Sequence, residues 1–220
     1  MILLLFQEFI SLIFPRVCPG CHRVMKPQET IICLHCRMAL HRPSFQVMDD
    51  FRNKFNLPLH FLYAHWRFIR YGRAQHVIHA IKYGKTPLPA RRLGREIGSQ
   101  LPAGLKGLLV PVPQHPLRAY GRGFNQAAEL ARGIAERTSL ELQAGMLKRR
   151  GTWKSQTKRS RLHRLQALEE SVYVARQLKS DHYFLVDDVV TTGATLQTCA
   201  YRIMKEYPDC RIGLIVAATV

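Results

Sequence analysis

The sequence predicts an α/β fold, a parallel sheet flanked by helices, with a small cysteine-rich domain ahead of it. Three observations lead there. The apolar runs at 108–112, 183–186 and 212–219 are short and rich in β-branched or aromatic residues, as strands buried on both faces are. Stretches with helical spacing of apolar residues follow them. Two CxxC pairs sit near the start. A chain of 220 residues with 47% hydrophobic content can hold one full α/β domain and an appendage.

The first fourteen residues, MILLLFQEFISLIF, are apolar but interrupted by Gln7 and Glu8. A spanning helix needs roughly 20 apolar residues, and neither a positive n-region nor a cleavage site marks a signal peptide. The segment predicts a short amphipathic helix, with Leu5, Phe9, Leu12 and Ile13 on one side, and no stable membrane insertion. Six cysteines in a long, Lys- and Arg-rich chain without an export signal point to a reducing cytoplasm.

Cys18-Pro-Gly-Cys21 and Cys33-Leu-His-Cys36 lie eleven residues apart. Each pair offers two thiolates to one metal, and two such knuckles complete a tetrahedral sulfur shell. A closed shell leaves no open position, so the expected ion is a structural zinc. Buried thiols or a redox pair are the alternatives. Residues 1–48 are therefore expected to form an N-terminal helix and zinc ribbon, 49–58 a polar connector, and 59–220 the main domain with a core of its own.

Within that domain, residues 62–68 predict a strand and 74–83 a helix with Val77, Ile78 and Ile81 inward. A second helix spans 89–101 with Leu93 and Ile97 inward. No acidic residue occurs between Asp50 and Glu96, which makes one face positive. The strand at 108–112 runs into a loop shaped by prolines and glycines, containing Pro111, Val112, Pro113 and Gly123. Arg118 and Arg122 give this loop charge, and the helix beginning near Phe124 adds free N–H donors, so the loop suits a phosphate. Gly121-Arg-Gly123 lacks the third glycine of a dinucleotide fingerprint.

Residues 148–164 carry eight cations and no acid: Lys148, Arg149, Arg150, Lys154, Lys158, Arg159, Arg161 and Arg164, with Trp153 among them. The composition is that of a mobile or partly ordered loop, either a solvated face or a surface for single-stranded DNA. The formal net charge of +18 also points to a polyanionic partner.

The most informative stretch is HYFLVDDVVTTGATL, residues 182–196. A buried strand ends in Asp187 and Asp188. After two valines comes the turn Thr191-Thr192-Gly193-Ala194-Thr195, and then a helix carrying Leu196, Cys199, Ala200, Ile203 and Met204 on one stripe. The helix start is an anion site, the threonine hydroxyls add donors, and glycine admits close approach. Two carboxylates suit neighbouring ribose hydroxyls or a hydrated magnesium.

VDDVVTTGAT closely resembles the PRPP-binding signature of type I phosphoribosyltransferases. The double CxxC, VPVP followed by RGFNQ, and VDDVVTTGAT together resemble the ComF family, the amidophosphoribosyltransferase-like proteins of the late competence operon. The resemblance implies a zinc ribbon fused to a type I phosphoribosyltransferase fold. It also implies a PRPP-dependent transferase with an unidentified acceptor, DNA-uptake proteins as partners, and a role in natural transformation. Carried across, Asp187 and Asp188 take the ribose hydroxyls, Thr191 to Thr195 the 5′-phosphate, and the loop 111–123 the pyrophosphate, with magnesium. Family members carry Arg-x-x-Asn after the basic segment; here Arg164 is followed by Ala167 in place of the Asn. A non-catalytic DNA-handling protein that uses the fold as a phosphate sensor is the other reading.

Overall fold

Sheet order organises the chain. The computed structural model describes residues 14–84, 86–115, 123–150 and 171–220. Its main sheet is wholly parallel, in the order β1-β7-β6-β2-β3, where β1 is Leu59–Arg67, β2 Leu108–Pro111, β3 Glu141–Leu142, β6 His182–Val190 and β7 Arg211–Thr219. A separate antiparallel pair joins β4 (Leu147–Arg149) to β5 (Val172–Val174). The interior strand β7 is buried from Ile212 to Thr219, which is why residues 212–218 read as an unbroken apolar run.

Helices cover both faces. The chain runs α1 (Leu34–Ala39), α2 (Phe45–Asn53), β1, α3 (Arg73–Tyr83), α4 (Leu88–Gly98), β2, α5 (Gln126–Ala135), then β3 to β6, α6 (Ala194–Glu206) and β7. On one face Val77, Ile78 and Ile81 of α3, Leu93 and Ile97 of α4, and Leu130 and Ile134 of α5 meet Phe184, Val186 and Ile215. On the other, Leu196, Cys199 and Ile203 of α6 meet Tyr183, Leu185, Leu214 and Val216. The expected fold class is the one observed.

Three local readings change. The strand before the phosphate turn does not end at the carboxylates: β7 runs beside it to Thr219, so ladder pairing carries β6 through Asp187 and on to Val190. The segment expected as a polar connector contains α2, capped by the Ser44 hydroxyl, and buries Phe51 and Phe55 against α6 and the sheet. Its many polar residues masked two aromatic anchors. The basic segment, expected as a mobile or partly ordered loop, starts as strand, since Lys148 and Arg149 pair with Tyr173 and Val172. Trp153, Lys154, Lys158, Arg159, Arg161 and Arg164 lie outside the described residues, as do Arg118, Arg122 and the N-terminal apolar segment.

The cysteine knuckles are not set apart from this body. Cys18, Ile31, Ile32, Cys33 and Cys36 share one continuous apolar cluster with Trp66, Ala74, Val77 and Ile78. Arg37 of α1 reaches Glu96 of α4 at 3.0 Å, and His65 of β1 lies 3.4 Å from the same carboxylate. Burial pushes the pKa of Glu96 up, but the bonds from His65 and Arg37 outweigh it and hold the carboxyl below its ordinary value.

Candidate functional site

The cleft follows from the sheet. Strand β2 pairs with β6 only as far as Pro111 opposite Val186, with one further bond from Val112 N–H to the Val186 carbonyl at 2.9 Å. Beyond that point the two strands part. The helix after β2 packs on one face and the helix after β6 on the other. Such a reversal opens a crevice at the carboxyl ends of the strands, where open α/β sheets bind ligands.

Asp187 and Asp188 are the first two residues of β6 past the parting. Successive side chains on a strand point to opposite faces, so the pair divides. Asp188 turns toward α3, where its Oδ1 lies 3.1 Å from Lys82 Nζ and accepts the Val189 N–H at 2.6 Å. Asp187 lies toward α6, where its charge adds to burial in pushing the pKa of the Cys199 thiol up. Its Oδ1 accepts the Asp188 N–H at 2.8 Å. Burial first, and then the charge of Asp188, push the Asp187 acid up to about 7, partly countered by that N–H and by Lys82.

A cavity of about 400 Å³ joins the two acids to Val112, Pro113, Gln114 and His115 after β2, to Asn125 and Ala127 at the head of α5, and to Thr195. Lys82, Tyr83 and Arg149 also line it. A smaller recess of about 50 Å³ adjoins it, formed by Thr191, Thr192, Gly193, Ala194 and Thr195 with Asp187. The turn reaches its shape through Gly193, whose φ of +76° is the left-handed region. A Cβ there would also lie 2.9 Å from the Phe55 ring, so the buried aromatic of the supposed connector forms the back wall of the turn. The loop after β2 is fixed by Asn125. Its Oδ1 accepts from Ala127 N–H at 2.9 Å, capping α5, while its Nδ2 donates to the Val112 carbonyl at 3.0 Å.

The structure thus brings together Asp187, Asp188, the 191–195 turn, Val112 and Pro113. Pro111 ends β2 just beneath, and Gly123 stands before the α5 cap with φ +77°. Of the residues proposed for nucleic acid, Arg149 lines this cavity instead, its Nε 3.1 Å from Ser171 Oγ. Arg150 lies over the Tyr173 ring at 5.1 Å. Lys82, Tyr83, Gln114, Asn125 and Phe55 were not singled out from sequence. Asn125 was visible as a cap residue before an apolar helix; nothing in the Lys82 neighbourhood distinguishes it from a surface lysine.

The second site is the sulfur cluster. The Sγ atoms of Cys18, Cys21, Cys33 and Cys36 all lie within 4.8 Å of one another, with Cys21 and Cys33 3.5 Å apart. A tetrahedral zinc with Zn–S near 2.3 Å requires sulfurs about 3.8 Å apart. The donors therefore fit zinc. Gly20 is required because a Cβ would come within 3.0 Å of Cys36 Sγ. Burial opposes ionisation of Cys18, yet N–H groups of Cys33, Gly20 and Cys21 bring it down to about 7. Burial and the neighbouring thiols push Cys36 upward. A cation among them would relieve that mutual repulsion. The oxygen donors of Asp187 and Asp188 fit a hard cation such as magnesium.

No family model and no curated protein matches the chain. Among solved structures, it is similar to the allosteric regulatory enzyme of purine biosynthesis, at 17% identity over 64% of this chain and 30% of that one, with a TM-score of 0.41. It is also similar to a hypoxanthine phosphoribosyltransferase from Staphylococcus aureus, at 12% identity over 61% of this chain and 74% of that one, with a TM-score of 0.37. The match spans less than a third of the first enzyme's length.

Proposed function

We propose that the cleft between β2 and β6 binds PRPP or a ribose 5-phosphate with magnesium, and that the chain is a ComF-like phosphoribosyltransferase with an unidentified acceptor. One observation carries this reading. Two acids and a threonine of the hydroxyl-rich turn face one cavity together with the loop after β2. An acceptor-only pair, an anion-binding helix start and a second loop around one cavity suit a single sugar phosphate. The 5′-phosphate belongs in the recess of Thr191 to Thr195, the ribose hydroxyls on Asp187 and Asp188, and the pyrophosphate toward Val112, Pro113 and the loop to Gly123.

Transfer displaces pyrophosphate from ribose C1 through a cation-like transition state, so the protein's work is orientation and charge stabilisation. The carboxylates orient the ring, and Arg149 offers positive charge from the β4–β5 pair. Magnesium, when bound through the acids, supplies further stabilisation of the departing oxygens. The cysteine cluster holds one structural zinc in this reading. Calorimetry with Mg²⁺ and PRPP tests the site. Binding to the wild type is expected, with a loss of well over tenfold in Asp187→Asn/Asp188→Asn, since each lost carboxylate bond costs on the order of 1–3 kcal/mol. No binding to the wild type, or equal binding to the double variant, refutes it. Pyrophosphate release against a panel of acceptors then tests turnover.

A second reading, single-stranded DNA handling in natural transformation, is favoured by the +18 charge and by the cation–aromatic pair of Arg150 and Tyr173 at the foot of the basic segment. Anisotropy titration at ~0.15 M salt checks it, because nonspecific attraction is already screened there. Weakened binding in Lys148→Ser/Arg150→Ser is the expected outcome, and unchanged binding speaks against this surface.

A further inference from the structure

Lys82 stands one residue before the end of α3, and both ends of its side chain are constrained. At its root, the Lys82 carbonyl accepts a hydrogen bond from Gln126 Nε2 at 3.2 Å. Gln126 is buried, and its side-chain carbonyl is taken by Gln114. The helix itself is fixed by Ala74, Val77, Ile78 and Ile81 in the core. At its tip, Nζ meets Asp188 Oδ1 at 3.1 Å inside the cleft, with 28% of the lysine side chain and 17% of the aspartate exposed. The ammonium therefore occupies the carboxylate surface that a metal-bound ribose needs. Without it, the Asp188 carboxylate would meet any divalent ion in solution with its charge unopposed by this ammonium.

We propose that Lys82 is the resident counter-ion of this site: it holds Asp188 until a metal-bound sugar phosphate displaces it, and the freed ammonium then pairs with that ligand's phosphate. The inference rests on the reading of the cleft as a sugar-phosphate site and assigns a residue that the reading leaves without a role. An ammonium on a flexible stem has three donors and can exchange one oxygen partner for another with little reorganisation. Two consequences follow. A divalent cation alone must compete with an intramolecular cation and binds weakly. A cation that arrives with a phosphate-bearing ligand gives the displaced ammonium a new partner, so metal and ligand each raise the other's affinity, by thermodynamic necessity to the same degree.

The test uses the full chain with Lys82→Met, which keeps length and apolar stem while removing charge, and Lys82→Arg, which keeps the charge. Mn²⁺ alone, followed by its electron paramagnetic resonance signal, is expected to bind Lys82→Met about tenfold tighter than wild type, and PRPP with Mg²⁺ about tenfold weaker, both within the usual range of site coupling. Lys82→Arg is expected to stay close to wild type in both. A lysine with a merely structural role moves neither metal affinity upward nor ligand affinity downward. Unchanged or weaker Mn²⁺ binding in Lys82→Met overturns the proposal, as does unchanged Mg²⁺–PRPP binding. A wild type that binds no Mg²⁺–PRPP overturns the sugar-phosphate reading and this inference with it, whereas a wild type that binds and a Met variant identical to it overturn this inference alone. Lys82→Gln provides the same two measurements if the Met variant does not fold.

Discussion

At the scale of single residues, the cleft is governed by how one strand deals out two adjacent acids. Asp187 is partly buried, and desolvation pushes its acid up to about 7 against an ordinary 3.8. The folded chain therefore keeps a proton that the unfolded chain gives up. This group favours folding fully below its ordinary value, and the contribution is lost as pH rises through about 7. Binding runs the other way, because a ribose hydroxyl or a metal needs the carboxylate. Affinity for Mg²⁺–PRPP is expected to climb between pH 6 and 8 and then level off, and Asp187→Asn is expected to abolish the step in calorimetry across that range. Gly193 offers a second test. An alanine there faces a left-handed backbone cost of roughly 1–2 kcal/mol and a Cβ pressed on the Phe55 ring. Gly193→Ala is expected to lower thermal stability and ligand affinity. Adding Phe55→Leu should recover part of the loss by removing the contact but not the backbone term, as a double-mutant cycle by thermal unfolding would show.

Among the elements, the ones most legible in sequence are those whose pattern has one cause. Buried strands β2 and β7 read directly because residues 108–111 and 212–218 are apolar on both faces, and α3 reads through Val77, Ile78 and Ile81. The phosphate turn reads because acids, threonines and glycine follow in the order one ligand needs. What escaped was set by distant partners. The helix α2 hid behind Asp49, Asp50, Arg52 and Asn53, although Phe51 is wholly buried. The continuation of β6 past its carboxylates depends on β7 alongside, and the role of Lys82 depends on where α3 ends relative to a strand far along the chain. Asn125 belongs to this scale as well, since one side chain caps α5 and holds the loop after β2. Asn125→Ala is expected to cost about 1 kcal/mol of stability and to weaken Mg²⁺–PRPP more than that loss explains, because the Val112 carbonyl is released as well. Denaturant titration alongside calorimetry separates the two effects.

For the whole molecule, the continuous apolar cluster joining the cysteine knuckles to α3 and β1 makes the four-cysteine group part of the main body. The sequence suggested a domain with its own core beginning after a connector; in the structure, that core and the cysteines touch. Removing the metal by a strong chelator, or by Cys21→Ser, is expected to lower the melting temperature of the entire chain in one transition rather than loosen its first ~40 residues alone, because structural zinc contributes folding free energy directly. Calorimetric melting paired with metal analysis, with one zinc per chain expected beforehand, checks both statements. Two separate transitions would show that the cluster does not transmit the loss.

The order of the sheet also bears on how the chain is made. Strand β1 leaves the ribosome early, yet among the described residues its sheet neighbour is β7 alone, which emerges after every other element named above. Until then β1 and β6 each wait with an open edge where β7 belongs, and such edges are sites of mispairing between nascent chains. The sheet closes by insertion of its last strand into its interior, a slow, long-range step. Synthesis of this protein therefore leaves a window in which β1 and β6 have unpaired edges, and a ribosome stalled before Arg211 would extend that window.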